Sequence, residues 1–393
     1  FAALTMNAEL KFSPLVFSFG AGIFFIGYFV FEVPSNLALE RFGASKWIAR
    51  IMVSWGILSA LMAAVYDEHS FYALRFFLGV AEAGFFPGII LYLTYWYPAE
   101  YRARFLAAFA IAVPVSTAIG APISGLLLGL DGVMGLKGWQ WLFIIEGVPS
   151  VLLGIVTWFY LTDRPEKADW LSAEQKAWLK GKLDAEVAAK QAAKHFTFLE
   201  ALSSSKVLAL SAIYFGFVAS LYGMQFWLPQ IVKAFGLTNA QTGFVTAIPY
   251  AFGTVAMILW ARRSDATRER VFHVGAPLLL TALALAVSSY ITDPTKTMVV
   301  LTVAAIGVFC TFAVFWTLPT AWLAGTAAAG AIALINSIGN LAGFLGPYLI
   351  GWVKETTGST STGLLVLSLL PLAAGLLVFL GSHETKTEFV EAK

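Results

Sequence analysis

Two ionisable residues, Arg75 and Glu82, interrupt an otherwise apolar run from Phe71 to Pro98 that is long enough to cross a bilayer. A charge at the centre of a membrane helix costs about 2.5–3.5 kcal/mol on insertion scales, so such residues normally face protein or a wet cavity and carry function. The two are seven positions apart, which puts them on one helix face about 10 Å apart along the axis. That is too far for a tight ion pair and leaves room for a water, a bound anion or another helix. A buried carboxylate near a guanidinium gains or loses its proton according to what lies between them. The competing reading is a structural pair that fixes helix packing.

Other polar side chains stand in apolar surroundings. Glu32, in Glu-Val-Pro-Ser-Asn, lies near one end of its run and suits gating or helix-end packing; Glu146 suits either coupling or contact with a neighbouring turn. Tyr28, Gln225, Trp227, Trp316, Asn336 and Asn340 are candidates to line a cavity. An interfacial aromatic belt is the alternative for Tyr and Trp, and fits Trp96 and Trp139 better than the mid-run Trp316. Asn336 and Asn340 are four apart on one face, where interhelical hydrogen bonding is the alternative. The four histidines fall in loops or at run ends and read as solvated, with no metal-ligand spacing. Cys310 is the single cysteine, so no disulfide forms within the chain.

The elements that must position these residues are membrane spans. Of the 393 residues 59% are hydrophobic and 12% charged, against about a quarter charged in soluble proteins. Apolar runs predict eleven spans, at 14–38, 47–65, 71–97, 103–130, 139–162, 207–233, 241–262, 271–291, 297–323, 328–353 and 362–382. The one long polar stretch, Asp163 to Lys206, carries eight Lys/Arg and seven Asp/Glu. Its segment around Trp170 and Trp178 reads as an amphipathic surface helix or a solvated linker. Basic turns alternate with poorer ones: Arg41, Lys46 and Arg50; Arg102 and Arg104; Arg262, Arg263, Arg268 and Arg270. The positive-inside rule then puts these turns, the central stretch and the C-terminal tail in the cytoplasm of an inner-membrane protein. Glu40 and Asp265 are 225 positions apart, as are Pro122 and Pro347. The chain therefore reads as two copies of one bundle, 1–162 and 207–393, joined by 163–206. The same shift makes the opening Phe-Ala-Ala-Leu-Thr-Met-Asn-Ala the outer end of a first helix, and predicts a twelve-span parent with both termini cytoplasmic.

Asn36-Leu-Ala-Leu-Glu40-Arg41-Phe-Gly43-Ala-Ser-Lys46 resembles the major facilitator signature Gly-x-x-x-Asp-Arg-x-Gly-Arg-Arg, departing at Asn36, Glu40 and Ala44. Arg263-Ser-Asp265 is a looser second copy. Arg75-Phe-Phe-Leu-Gly79-Val-Ala-Glu82-Ala-Gly84-Phe-Phe-Pro87-Gly88, Trp139-Gln-Trp-Leu-Phe-Ile-Ile-Glu146-Gly147 and Asn336-Ser-Ile-Gly-Asn340-Leu-Ala-Gly343 resemble the anion:cation symporter family within that superfamily, which includes tartrate, phthalate, hydroxyphenylacetate and sugar-acid permeases. The resemblance implies an all-α major facilitator fold of two six-helix bundles, with most of the first helix missing. It also implies proton-coupled symport of a small organic anion, with sodium as the alternative coupling ion. Glu82 is then the coupling carboxylate and Arg75 its partner or the organiser of the anion site. Tyr28, Trp316 and Asn336 line the cavity, and Glu40, Arg41, Gly43, Glu32 and Asp265 serve latch and gate. No cofactor or nucleic acid is implied; the partners are the substrate, the proton and the bilayer, and the protein acts as a monomer. Phe312-Ala-Val-Phe315 offers few hydroxyl partners, which favours a less hydroxylated or aromatic carboxylate, with dicarboxylates among the candidates. Gly120-Ala-Pro122-Ile-Ser-Gly125 faintly resembles an antiporter signature and keeps an exchanger open. A membrane enzyme or sensor finds no support: there is no nucleophile motif or phosphate loop, and the central stretch is too short for a soluble enzymatic domain.

Overall fold

The computed structural model describes residues 1–191, 204–322 and 327–391. Among the described residues every regular element is a helix and no strand occurs. Lipid offers no hydrogen-bond partners, so an apolar chain must satisfy its backbone within each segment. Among the described residues, ten helical segments are long and apolar enough to cross a membrane. The further expected span, 328–353, falls inside a helix running Ala327–Thr357. The chain divides into two compact units, one of Ile23–Ala110 and Gly132–Lys194, the other of Phe1–Gly22, Ile111–Asp131 and His195–Lys393. Two helices, α2 (Pro14–Phe42) and α6 (Ala99–Leu127), contribute residues to both. A short α1 (Ala3–Glu9) precedes them.

The unit built on Ile23–Ala110 also holds α3 (Ala44–Leu61), α4 (Glu68–Glu82), α5 (Phe85–Trp96), α7 (Gly138–Tyr160) and α8 (Ala173–Gln191). Glycines let α3 and α7 meet backbone to backbone. A Cβ on Gly56 would stand 2.7 Å from the Gly147 carbonyl oxygen, and one on Gly147 would stand 2.7 Å from that of Gly56. Without a hydrophobic drive in lipid, such close approach is how membrane helices associate. Ser150 Oγ donates to Met52 O on α3 at 3.0 Å, fixing the same pair, and Gln140 Nε2 donates to Ala63 O, in the turn just after α3, at 2.7 Å. The central polar stretch does form a helix, α8, while 192–203 lie outside the described residues. Ahead of α8, Trp170 stacks on Trp96 with ring centroids 5.8 Å apart and planes within 5°.

The other unit is organised on α9 (Ser205–Lys233), whose Leu210, Ile213, Phe217 and Trp227 are buried. Around it stand α10 (Asn239–Thr267), α11 (Val271–Ser288), α12 (Pro294–Phe315), α13 (Thr317–Trp322), α14 (Ala327–Thr357) and α15 (Thr360–Glu391). The Gly120–Gly125 stretch packs at its last residue: a Cβ on Gly125 would be 3.0 Å from the Cα of Gly243 on α10.

Three expectations change here. The run Phe71–Pro98 is two helices, because Ala83 (φ −51°, ψ 130°) and Gly84 (φ 84°, ψ 0°) separate α4 from α5. Lys46 and Arg50, grouped above with a basic turn although the expected span 47–65 contains Arg50, both lie inside α3. His273 is 2% exposed rather than solvated, since α11 begins two residues before it. His69 does remain largely exposed, whereas His195 and the side chain of His383 lie outside the described residues.

Candidate functional site

Arg75 and Glu82 both sit half-buried on α4. The Arg75 guanidinium stands 4.9 Å from the centroid of the Phe24 ring on α2. A glycine sets this geometry. A Cβ on Gly79 would strike the Phe24 carbonyl and come within 3.0 Å of the Tyr28 amide, so α4 lies directly on α2. Tyr28, expected at a cavity, is 9% exposed beside that crossing, and Glu32, one turn further on, is 6% exposed. Glu146 is exposed on α7.

The loop expected to act as a latch is arranged around a different acid. Glu40 and Arg41 are exposed. Gly43 adopts φ 93°, and a Cβ there would be 3.1 Å from the Asp163 carboxylate oxygens. Asp163 Oδ1 accepts from the Ser45 amide at 2.8 Å, capping α3, and Oδ2 lies 3.3 Å from Lys167 Nζ. Burial works to raise the Asp163 pKa, but the bonds from Ser45 and the Lys167 charge hold it below the ordinary carboxylate value. Only an acid at the end of the fifth apolar run marked Asp163 in the sequence, which was too weak a signal to single it out.

At the second copy of the loop, Asp265 is exposed and pairs with Arg270 at 2.8 Å. Glu269 caps α11 by accepting from the Phe272 amide at 2.8 Å, and its Oε2 lies 2.9 Å from His273 Nδ1. Burial pushes the Glu269 pKa up, and these hydrogen bonds outweigh it and bring it below the ordinary range.

In the unit around α9, the expected Trp316 packs on Tyr214, which sequence reasoning had not singled out. Its ring stacks with Phe315 at 4.9 Å and meets Trp316 at 4.9 Å. A Cβ on Gly339, between Asn336 and Asn340, would collide with the Tyr214 ring. Trp316, Asn336 and Asn340 are each half-buried, as is Gln225 on α9. Trp227 differs. It is fully buried, donates its indole N–H to Pro347 O at 3.1 Å, and packs edge-on against Phe17 with Lys354 4.8 Å over its ring. Its one polar group is therefore already engaged in packing.

The profile of the Major Facilitator Superfamily matches residues 1–347 and, separately, 231–392. The chain belongs to this superfamily. It is a multi-pass membrane transporter and not an enzyme. An Agrobacterium vitis protein named for tartrate transport is 54% identical over 378 residues, covering 96% of this chain and 86% of its own. A quinolone resistance transporter of Acinetobacter baumannii is 44% identical over 381 residues, covering 97% of this chain and 88% of its own. A crystal structure of a bacterial homologue of the human lysosomal transporter Spinster, inward-facing and occupied, matches the transporter's fold with a TM-score of 0.78 at 16% identity. It covers 97% of this chain and 91% of that chain, and at such identity the likeness concerns fold alone.

Proposed function

We propose that this transporter carries a small organic anion, a carboxylate, together with a proton by alternating access. The observation that carries the reading is the Arg75–Glu82 pair on one short helix, with the guanidinium 4.9 Å from the Phe24 ring. A guanidinium offers planar, paired donors that match a carboxylate. With the anion at Arg75 and a proton on Glu82, both charges are compensated and the loaded site can change its exposure; the relation of proton to anion makes the two move together. Tyr28 in the unit of Arg75, and Trp316, Asn336, Asn340 and Gln225 in the other unit, are the side chains offered to the rest of the substrate. Residues 1–162 and 207–393 are the halves that alternate, joined by 163–206, with the Glu40–Gly43 loop and Asp265 acting at their cytoplasmic rims and Glu32 at the gate. The protein works as a monomer in the inner membrane, with its basic turns and C-terminus cytoplasmic. The tartrate name of a relative at 54% identity makes a dicarboxylate the first substrate to try.

Reconstitution in proteoliposomes tests this. Tartrate should accumulate under an inward proton gradient and exchange in counterflow without one, and Glu82→Gln should lose accumulation while exchange stays measurable. Uptake by the parent protein that ignores the proton gradient would sink symport. It would point to a sodium-coupled carrier if sodium restores accumulation, and to an exchanger if it does not. Thermal shift against tartrate, other dicarboxylates and aromatic carboxylates fixes the substrate class, because a ligand of the folded state raises its melting temperature.

A further inference from the structure

The break in the fourth span falls immediately after Glu82, and the sequence provides for it. In a continuous helix the Ala83 carbonyl would accept from residue 87, which is proline and has no N–H. Gly84 supplies the left-handed turn (φ 84°) that ends α4. The last carbonyls of α4 thereby lose their helical donors, and in an apolar interior an unsatisfied backbone group is expensive. One replacement donor comes from another helix: Arg50 Nη1 on α3 donates to Ala81 O at 3.4 Å. That guanidinium stands 4.1 Å from the centroid of the Trp47 ring. Trp47 Nε1 in turn donates to Ser35 Oγ on α2 at 3.0 Å. Ser35 closes the circuit, since a Cβ on Gly84 would run into its side chain. Helices α2, α3 and α4 thus meet around the break through Ser35, Trp47, Arg50 and the Ala81 carbonyl.

We propose that Arg50 is a positioning residue for transport. Its guanidinium holds the fourth span broken at Ala83–Gly84 and so fixes Glu82 as the last residue of a short, rigid α4. The inference rests on the coupling role given to Glu82 above. Arginine suits the task because its charge persists, its planar fork can reach a carbonyl, and its face stacks on an indole. Lysine keeps the charge and loses the fork and the stacking.

Two measurements test it. Hydrogen–deuterium exchange in the lipid-reconstituted protein should rise over residues 78–90 in Arg50→Gln, and less in Arg50→Lys. In proteoliposomes with tartrate, Arg50→Gln should lower proton-driven accumulation at least about tenfold and counterflow by less than about threefold, with Arg50→Lys between it and the parent. A purely structural role would depress both transport modes in parallel, and that result overturns the inference. So does unchanged hydrogen exchange over 78–90. If Arg50→Gln does not fold, Arg50→Lys and Trp47→Phe decide on the same two readouts, and parental behaviour in both refutes the proposal. If the parent does not carry tartrate, the exchange measurement decides alone. Glu82→Gln runs alongside: accumulation that survives it sinks the coupling reading, whereas accumulation lost there but kept in Arg50→Gln sinks only the role of Arg50.

Discussion

Gly79→Ala puts one methyl group where α4 rests on α2. The added Cβ would strike the Phe24 carbonyl and stand 3.0 Å from the Tyr28 amide. Both obstacles are backbone inside a helix, so no side chain can rotate away and the helices must part. Overpacking of this kind costs about 1–3 kcal/mol. Alanine returns about 0.8–1 kcal/mol of helix propensity. Because the contact is with a carbonyl rather than a flexible tip, the upper half of the overpacking range applies, and the net is a destabilisation of about 1–2 kcal/mol. In a chain of 393 residues that lowers the melting temperature by about 1–2 °C. The internal control is Gly120→Ala on α6, where a Cβ meets nothing within 4 Å; there only the propensity gain operates and the melting temperature should hold or rise. Thermal unfolding of both variants in one detergent reads the difference directly. A Gly79→Ala protein as stable as the parent would show that the crossing is looser than its geometry and would remove the basis for the placement of Arg75 and Glu82.

Two further outcomes follow from the same contacts. Asp163→Ala removes the cap on α3, and should cost about 0.5–2 kcal/mol at pH 7. Since the folded Asp163 pKa is depressed, its contribution is fully present above the ordinary carboxylate value of about 3.9 and fades as pH falls through the lower folded value. The gap between variant and parent melting temperatures should therefore narrow towards pH 3, and a constant gap refutes the cap as a charged interaction. Trp227→Phe leaves Pro347 O without its side-chain donor and should cost about 1–3 kcal/mol, with the thermal shift produced by a bound carboxylate unchanged. A variant that melts like the parent but loses that shift would return Trp227 to the substrate site.

The spans were legible in the sequence because lipid demands long apolar runs, and composition meets that demand without reference to any partner. Arg75 and Glu82 were legible for the complementary reason, as charges that such runs do not tolerate idly. The break beside them had two local signals, Gly84 and Pro87, but a continuous apolar run hid it. Arg50 was misread because a basic residue near a span end looks alike whether it faces water or caps a neighbouring helix. Asp163 and Tyr214 could not be found at all from spacing, since each acquires its role from a residue more than a hundred positions away, Ser45 in one case and Trp316 or Gly339 in the other. His273 shows the opposite error: its nearness to a basic turn suggested water, while a helix start at Val271 and the ring of Trp260, 4.8 Å away, bury it.

The contacts around the broken fourth span also bear on how the protein is made. Ser35, Trp47 and Arg50 all precede Ala81 and Gly84 in the chain. They leave the ribosome before the segment they hold. To the insertion machinery Glu68–Trp96 is a single apolar stretch, so it can enter the bilayer as one span and be divided afterwards by partners already in place. Because these contacts all come from residues up to Gly84, a nascent chain ending soon after the fourth span should already carry the division.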